Sequence, residues 1–375
     1  MRILFTGGAT GGHFFPILAL IREIKRLTDT SGILDISFYY MGPDKFGESL
    51  LEEEGVRCMR VPSGKYRNYF SFRNVTDIIT LAWGILLGFW KMTFIIPDVI
   101  VSKGGYGSIP ALVAGIILRI PILVHESDAI PGKTSRISSF FADRIGVAFA
   151  EAAEFFPEER TAQVGIPLVL HTNFCAQEVV RERLSMLSDL PAVGCIGGSL
   201  GAQKLNEIIL ESLDELVKEY EVVHQTGLEH ITAVKEEASI VLEHGGGARY
   251  HAFGFMETGE MEDFYCISDI VVSRAGASSI FEIALWGKPA ILVPLERSAQ
   301  DHQRKNAYAY AQTGAALVIE EGNLTPHILL AEIKKVLENP ELYLKMSKAA
   351  QAFARPDSAT IIAREILNLG VHNKG

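Results

Sequence analysis

Four glycine-rich turns, each at the end of an apolar run, constrain the fold of this chain more than any other feature. They are Gly7-Gly8-Ala9-Thr10-Gly11-Gly12-His13, Gly104-Gly105-Tyr106-Gly107-Ser108, Gly197-Gly198-Ser199-Leu200-Gly201 and Arg274-Ala275-Gly276-Ala277-Ser278. Glycine permits close backbone approach, so the amides that open the next helix can face an anion. One such turn alone is ordinary. Four at equivalent strand ends, in both halves of the chain, predict a site for a phosphate or a sugar.

The turns belong to a repeating order of strand, turn and helix, which is typical of a parallel sheet with helices on both faces. The order starts at Ile3–Thr6 and restarts at Ala192–Ile196, and 375 residues suit two such domains. We expect two doubly wound Rossmann-like domains, residues 1–164 and 165–354, with a C-terminal helix, 355–375, that packs back on the first.

The remaining strands are expected at Ile36–Met41, Val99–Ser102, Ile122–His125, Val222–His224, Tyr250–Phe253, Ile270–Val272 and Ala290–Val293. The expected helices include Phe15–Leu27, Val75–Phe94, Ile109–Leu118, Gln203–Lys218, Ser278–Trp286 and Gln300–Gln312.

Composition and cysteine spacing exclude several classes of protein. The formal net charge of −10 argues against a general nucleic-acid binder, which usually carries a basic surface. The four cysteines, Cys58, Cys175, Cys195 and Cys266, form no Cys-x-x-Cys pair, so the sequence indicates neither a disulfide framework nor a zinc site. Cys195 and Cys266 lie in apolar runs and are expected to be buried thiols.

An apolar stretch, Ile78–Ile96, is nearly long enough to span a bilayer. Lys91 lies inside it and Pro97 ends it, and a strand follows at once, which favours a helix within a βαβ unit. We expect one face to be buried and another to touch a membrane. The segment before it interleaves basic and aromatic residues: Lys65, Tyr66, Arg67, Tyr69, Phe70, Phe72 and Arg73. Such a segment is either an ordinary charged loop or a contact for anionic lipid headgroups.

The sequence lacks the two common nucleotide-binding motifs, the dinucleotide-binding signature and the Walker motif. The first turn has the wrong register for the dinucleotide signature Gly-x-Gly-x-x-Gly, and no Walker lysine follows any of the turns. The chain also contains no Asp-x-Asp pair that could hold a metal ion. The amino terminus leads directly into a strand rather than a signal peptide, so we expect a cytoplasmic protein.

The first turn, continued to Phe14-Phe15-Pro16, resembles the opening signature of the MurG family, glycosyltransferases that add N-acetylglucosamine to lipid I to make lipid II of peptidoglycan. The similarity continues in order through Gly104-Gly105-Tyr106, His125-Glu126-Ser127-Asp128-Ala129-Ile130-Pro131-Gly132, Gly197-Gly198-Ser199-Leu200-Gly201-Ala202, His224-Gln225-Thr226-Gly227, Ser273-Arg274-Ala275-Gly276-Ala277 with Glu282, and Asp301-His302-Gln303-Arg304-Lys305-Asn306-Ala307. The resemblance implies a GT-B fold with two domains facing a central cleft, an inverting mechanism, and no metal or other cofactor.

The resemblance also implies where UDP-N-acetylglucosamine binds, mainly on the C-terminal domain. Ser199 and nearby amides would meet the diphosphate, Glu282 the ribose hydroxyls, and Gln303 the sugar hydroxyls. Backbone groups of Phe255 and Met256 would meet uracil. Further donor contacts are implied for Thr10, Gly11 and Gly12 in the first domain and for Ala277, Ser278 and Ser279 in the second.

The resemblance favours a catalytic or acceptor-binding role for His13, and we expect it to be the general base, whereas the sequence alone favours a helix-capping or packing histidine. Its position at a helix start disfavours imidazolium, so a neutral ring able to accept a proton is expected. The acceptor residues implied are Gly104, Gly105, Tyr106, His125, Glu126 and Asp128. For His125 and Glu126 a structural hydrogen-bonding role stays open, and Glu126 and Asp128 are the fallback bases. Lys103, beside the second turn, is either a phosphate-attracting or a surface lysine.

Three departures from the family pattern bear on individual contacts. The family usually has Gln-Asn where this chain has Ser127 and Asp128, and commonly has Asn and Arg where Ile166 and Val169 stand. Ala9 replaces a frequent glycine.

The expected function is the transfer of N-acetylglucosamine from its UDP donor to the lipid-pyrophosphate acceptor lipid I, at the cytoplasmic face of the cell membrane. One alternative is a related GT-B enzyme with another lipid acceptor. The second is a non-catalytic subunit that binds a sugar nucleotide.

Overall fold

Parallel strands form the centre of each half of the chain in the computed structural model. The structure describes residues 1–8, 11–31, 35–43, 47–64, 73–169, 175–186, 189–197, 202–296 and 298–372. Two compact units are formed, one from Met1–Val169 with Arg355–Gly375 and the other from Leu170–Ala354. The chain therefore crosses between the units twice, after Val169 and after Ala354.

The first unit is a sheet of seven described strands in the order β3-β2-β1-β4-β5-β6-β7, with parallel pairing throughout. The strands are β1 Arg2–Thr6, β2 Ser37–Gly42, β3 Arg57–Arg60, β4 Val99–Ser102, β5 Ile122–Glu126, β6 Arg144–Val147 and β7 Thr161–Gln163. The helices are α1 Gly11–Ser31, α2 Glu48–Glu53, α3 Arg73–Ile95, α4 Ile109–Leu118, α5 Lys133–Ser138 and α6 Ala150–Ala153.

Alternation along β1 divides the core of this unit into two layers, because successive strand side chains point to opposite faces. Ile3 and Phe5 lie in the cluster that contains Ile362 of the C-terminal helix, whereas Leu4 lies in the cluster on the other face. The sheet is thus covered on both sides, as the apolar strands predict.

The apolar stretch forms helix α3 and is buried on one face, as expected. Small or flexible residues at a spacing of four, Gly84, Gly88 and Met92, form its buried face. A Cβ on Gly88 would lie 3.3 Å from Pro110 of α4, so the missing side chain permits this close helix packing. The opposite face carries large exposed apolar side chains.

The second unit is a sheet of six described parallel strands in the order β10-β9-β8-β11-β12-β13. The strands are β8 Ala192–Ile196, β9 Glu221–Gln225, β10 Tyr250–Phe253, β11 Ile270–Ser273, β12 Ala290–Leu292 and β13 Ala316–Val318. The helices are α7 Gln177–Arg183, α8 Gln203–Glu211, α9 Leu213–Glu219, α10 Ile231–Val241, α11 Thr258–Ile267, α12 Ala277–Leu285, α13 His302–Gln312, α14 Pro326–Leu337 and α15 Pro340–Phe353. The last helix of the chain, α16 Ser358–His372, belongs to the first unit.

The expectation that the cysteines form no disulfide is wrong, because Cys175 and Cys266 are joined. They lie 91 residues apart along the sequence, so their spacing gave no sign that they form a pair. Helix α7 packs on α11, and this packing brings Cys175, two residues before α7, to the end of α11. Gln177 Nε2 also donates to the Cys266 carbonyl, at 3.2 Å. Cys195 is a buried free thiol, as expected.

Candidate active site

His13 lies in the first turn of α1, directly above the end of β1, and is half-buried. Its Nδ1 lies 2.9 Å from the carbonyl oxygen of Lys103. A carbonyl oxygen can only accept, so the proton of the neutral ring sits on Nδ1 and the lone pair on Nε2. In this tautomer Nε2 can accept a proton, which is the requirement for a general base.

Two glycines surround the Nε2 side of His13. A Cβ on Gly8 would lie 3.1 Å from Cδ2 and 3.4 Å from Nε2 of the ring. A Cβ on Gly105 would lie 3.9 Å from Nε2 and 3.2 Å from the backbone of Gly8. Gly105 also has a backbone φ of +76°, which residues other than glycine rarely adopt. The first and second turns therefore meet at the histidine ring, and their glycines keep side chains out of the space beside it.

Lys103 is buried rather than exposed, with 2% of its surface accessible. Its Nζ donates to Ser127 Oγ at 2.7 Å and contacts His125 Nδ1. Burial lowers the pKa of Lys103 to about 7, while the charges of Glu126 and Asp128 act in the opposite direction. Its burial excludes the surface alternative for Lys103 and leaves the phosphate-attracting one as a prediction.

His125 is fully buried beneath the same turn. Its Nε2 lies 2.8 Å from the Gly165 carbonyl and donates to it, so Nδ1 is the acceptor for Lys103. Burial, followed by the nearby Lys103 charge, lowers the pKa of His125 well below its ordinary value. The ring is neutral and serves to hold Lys103 and the segment around Gly165 in place.

Glu126 organises the loop that follows β5. Its carboxylate accepts backbone N–H groups of Ser127 at 2.9 Å, Asp128 at 3.1 Å and Gly132 at 3.2 Å. Burial, followed by the Asp128 charge, raises the pKa of Glu126, and the hydrogen bond from Ser135 opposes the rise. This geometry favours the structural alternative for Glu126. Asp128 is half-buried at the same loop.

In the second unit, Glu282 lies within α12, six residues after Gly276, which precedes the helix. Tyr265 donates its hydroxyl to Glu282 Oε2 at 2.9 Å, and its ring stacks on Trp286. Burial raises the pKa of Glu282 to about 7, and the Tyr265 hydrogen bond opposes the rise. The carboxyl group is therefore desolvated, oriented by one donor, and able to accept hydrogen bonds through Oε1.

The first turn of α12 contains Ala277, Ser278 and Ser279. Ser278 Oγ is buried and has no hydrogen-bond partner among the described residues. A buried hydroxyl without a partner is uncommon and points to a group that is bound there at another stage. The position at a helix start suits an anion.

Gln303 lies in the first turn of α13, and a hydrogen bond to its side-chain carbonyl oxygen fixes the orientation of its amide group. Its Oε1 accepts the backbone N–H of Leu295 at 3.0 Å, which leaves the NH₂ group as the donor end. Met256 is buried just before α11 and the preceding Phe255 is exposed, and the contact of this segment with uracil stays a prediction.

The other predicted residues lie in the first three glycine turns. Thr10 and Ser199 lie outside the described residues, and Gly11 is described only as the first residue of α1. Gly12 is exposed in the first turn of the same helix, and Tyr106 begins a short 3₁₀ turn after Gly105. Within the described part of the chain, no group of three or more His, Cys, Asp or Glu side chains could hold a metal ion.

Sequence reasoning did not identify Tyr265, nor the connection of Lys103 to His125. Tyr265 lies in the run Phe264-Tyr265-Cys266-Ile267, which reads as core packing. Its alignment with Glu282 depends on how α11 packs beside α12. A tyrosine in an apolar run needs a partner for its hydroxyl, and this is the one signal in the sequence that could have raised the question.

The chain is similar to known proteins over both units. Residues 3–147 match the glycosyltransferase family 28 N-terminal domain, and residues 192–361 match the glycosyltransferase family 28 C-terminal domain. A Bacillus cereus protein named UDP-N-acetylglucosamine–N-acetylmuramyl-(pentapeptide) pyrophosphoryl-undecaprenol N-acetylglucosamine transferase 2 is 34% identical, over 91% of this chain and 93% of its own. A Treponema denticola transferase of the same name, without the final number, is 34% identical over 96% of both chains.

A likeness in structure agrees with these relationships. The crystal structure of Acinetobacter baumannii MurG superimposes with a TM-score of 0.73, covers 98% of this chain and 99% of its own, and is 24% identical. At that identity the likeness concerns the fold alone. Together with the two family 28 domains, it confirms the expected GT-B class of two α/β domains.

Proposed function

Because the chain belongs to the MurG family within glycosyltransferase family 28, we propose that it transfers N-acetylglucosamine from UDP-N-acetylglucosamine to lipid I. Lipid I is undecaprenyl-pyrophosphoryl-MurNAc-pentapeptide, and the β-1,4-linked product is lipid II. The observation that carries the proposal is the 34% identity to transferases of this name along nearly the whole chain. The chain is thus an enzyme, and its acceptor is the point to be tested.

His13 is the proposed general base. As the acceptor hydroxyl attacks the anomeric carbon of the donor, His13 Nε2 takes the proton of that hydroxyl. The new bond joins the acceptor oxygen to the anomeric carbon, the bond from that carbon to UDP breaks, and UDP leaves with the electron pair. Attack from the side opposite UDP inverts the anomeric centre. The Nδ1 contact with the Lys103 carbonyl supports this role, because it places the lone pair on Nε2.

The donor is proposed to bind to the second unit. Glu282 accepts hydrogen bonds from the ribose hydroxyls through Oε1, and Gln303 donates its NH₂ group to sugar hydroxyls. The diphosphate approaches the start of α12, where Ser278 Oγ gains the partner that it lacks among the described residues. Uracil contacts the backbone at Met256. Donor contacts of Ser199 and Thr10 remain predictions from the sequence.

The acceptor is proposed to bind to the first unit, with its pyrophosphate at the second glycine turn. Gly104 and Gly105 both have φ +76°, and the half-buried Gly105 brings main chain, not a side chain, to the space beside His13. Successive amides at such a turn attract anions. This places the lipid-linked group on the unit that carries the base.

Helix α3 is the proposed membrane contact. Its segment Thr76–Ile95 is long and apolar enough to cross a membrane by length and composition alone, with a mean hydropathy of 1.7. Its buried face packs within the first unit, which favours a helix that lies on the membrane surface at the cytoplasmic face. The exposed face carries Trp83 and Trp90, each 61% exposed, which suit the interface between headgroups and acyl chains. The basic residues Lys65 and Arg67 lie outside the described residues.

Liposome sedimentation tests this contact. The protein should sediment with anionic vesicles at low salt and be released as salt rises, because headgroup attraction is screened. Replacing Trp83 and Trp90 with serine should weaken binding by at least about tenfold, since two large apolar side chains leave the interface. Ile240→Ser, at an exposed site on α10, is the matched control and should bind as the wild type does. Wild-type protein that stays in solution with every lipid mixture would refute the contact.

A turnover assay with purified lipid I and labelled UDP-N-acetylglucosamine tests the proposed reaction. Labelled lipid II should form, and the rate should survive EDTA. Transfer to a different lipid in preference to lipid I would favour the related-enzyme alternative. Donor binding without transfer to any lipid acceptor would favour the non-catalytic subunit.

A further inference from the structure

Lys103 directly follows β4 and immediately precedes Gly104 and Gly105 of the second glycine turn. The two described hydrogen-bond partners of its Nζ, Ser127 Oγ and His125 Nδ1, are both neutral groups. His125 is held in the accepting tautomer by its own donation to the Gly165 carbonyl. The network therefore accepts hydrogen bonds from an ammonium group and offers it no negative charge.

Among the described residues, Lys103 forms no ion pair with a carboxylate, and the polar contacts of its Nζ are Ser127 Oγ and His125 Nδ1. The charged and titratable groups around it are His13 from α1, His125 and Glu126 from β5, and Asp128 from the loop that follows. Glu126 is bonded to three backbone N–H groups of that loop, so its charge acts on Lys103 only from a distance.

An unpaired ammonium in a protein interior is unfavourable, so the group either loses its proton or keeps it when an anion approaches. Lys103 is followed by the buried Gly104 and the half-buried Gly105, and its carbonyl contacts His13 Nδ1. An anion bound at this turn beside His13 would place negative charge next to Lys103 in the chain.

We propose that Lys103 is a positioning residue whose protonated side chain attracts the pyrophosphate of the lipid acceptor to the Gly104–Gly105 turn, and whose carbonyl keeps His13 in its base form. This inference rests on the proposed function, since it takes the acceptor pyrophosphate as the anion. If Lys103 has this role, acceptor binding depends on the protonation of its buried side chain, whereas donor binding does not.

The sign of the pH effect follows from the cation. The charge of Lys103 is present below its pKa, which burial lowers to about 7 in the free protein, and is lost above it. A bound anion raises this pKa, so acceptor binding is strongest at low pH and weakens as pH rises. The general base has the opposite dependence, because His13 must lose its proton to act. The two effects can therefore be separated in one pH series.

The experiment measures kcat and the KM of lipid I from about pH 6 to about pH 9 for wild type, Lys103→Met and Lys103→Arg. For wild type, the lipid I KM should rise about tenfold for each unit by which the anion raises the Lys103 pKa. Lys103→Met, of similar length and without charge, should show a high lipid I KM that hardly changes with pH. Lys103→Arg, which does not lose its proton, should keep a lower lipid I KM at high pH. The UDP-N-acetylglucosamine KM should be the same for all three proteins.

A second comparison needs no variant and covers the case in which the substitutions prevent folding. Wild-type enzyme is assayed with lipid I and with a muramyl acceptor that lacks the pyrophosphate. Only the lipid I KM should rise with pH. Equal pH dependence for both acceptors, or an unchanged pH dependence in a folded Lys103→Met variant, would overturn the role of Lys103. Absence of transfer to lipid I at every pH would instead refute the proposed function itself.

Discussion

The two units repeat one topology, yet the buried ionisable groups at their glycine turns have opposite chemistry. In the first unit burial lowers the pKa of Lys103 to about 7, and in the second it raises the pKa of Glu282 to about 7. Burial thus shifts each group toward its neutral form near pH 7, and a ligand of suitable chemistry would favour the charged form. A lysine among neutral acceptors suits an anion, whereas a glutamate oriented by Tyr265 suits hydroxyl donors. We propose that the shared fold supplies the position of each site and that these two side chains distinguish their ligands.

Among the substitutions that distinguish the roles of the two units, we expect the largest loss of turnover at His13. His13→Ala should reduce turnover by about 10²–10⁴-fold, the range for a positioned general base. His327→Ala, an exposed histidine on α14, is the control and should leave turnover unchanged. Alanine variants of Glu126 and Asp128 belong in the same series. Near-normal turnover of His13→Ala would return this residue to helix capping and move the search to those two carboxylates.

The disulfide gives the second unit a constraint that no described cysteine pair gives the first. Cys175→Ser should lower the free energy of unfolding of the second unit by about 2–4 kcal/mol, because a loop of 91 residues is no longer closed in the unfolded chain. Hydrogen exchange resolved by segment is the suitable measurement, since two units need not unfold together. Protection of β1 and β4 in the first unit serves as the internal control. Equal loss of protection in both units would contradict a local effect.

Donor affinity should depend on Glu282. Glu282→Ala should weaken UDP-N-acetylglucosamine binding by about 1–3 kcal/mol, since hydrogen bonds to a charged group are lost. Calorimetry measures this, with Glu211→Ala at an exposed site of α8 as the control. UDP-N-acetylglucosamine should also bind more tightly than the GDP and ADP sugars. Equal affinity for all nucleotides would remove the uridine assignment.

Substitution of Tyr265 is a smaller change that tests how the Glu282 carboxylate contributes to donor affinity. The carboxylate form of Glu282 exists above its pKa of about 7, so donor affinity should rise as pH increases through this value. Tyr265→Phe removes the hydrogen bond that lowers this pKa, so the rise should move to higher pH and affinity at neutral pH should fall by about 1 kcal/mol. Titration of donor binding against pH distinguishes this from loss of packing, which would lower affinity without moving the midpoint.

Much of the sheet architecture could be predicted from the sequence, since fully buried parallel strands are short apolar runs between turns. β8 at Ala192–Ile196 and β10 at Tyr250–Phe253 are confirmed as predicted. The sequence did not predict four strands of three or four residues each, β3, β6, β7 and β13. Of these, β3 and β7 are partly exposed and form the two edges of the first sheet, and β13 forms an edge of the second. The helix predicted at Gln203–Lys218 is two helices, broken at the buried Ser212, whose Oγ donates to the Ile208 carbonyl.

The glycine turns and the family resemblance located the candidate residues, but not the contacts that decide their chemistry. The tautomer of His13 depends on Lys103, which is 90 residues away along the chain. The orientation of Glu282 depends on Tyr265, and the disulfide on the packing of α7 against α11. Such contacts are set by how separate helices pack, which no local pattern of residues encodes.

The division of labour between the units is tested most directly by measuring donor affinity and turnover for the same two variants. His13→Ala and Glu282→Ala are each titrated with UDP-N-acetylglucosamine by calorimetry and assayed with lipid I at saturating donor. We predict that His13→Ala binds the donor as the wild type does while its turnover is lost. Glu282→Ala should bind the donor weakly and recover much of its turnover when the donor is saturating. A His13→Ala protein that loses donor affinity in proportion to turnover would contradict the assignment of base and donor site to separate units.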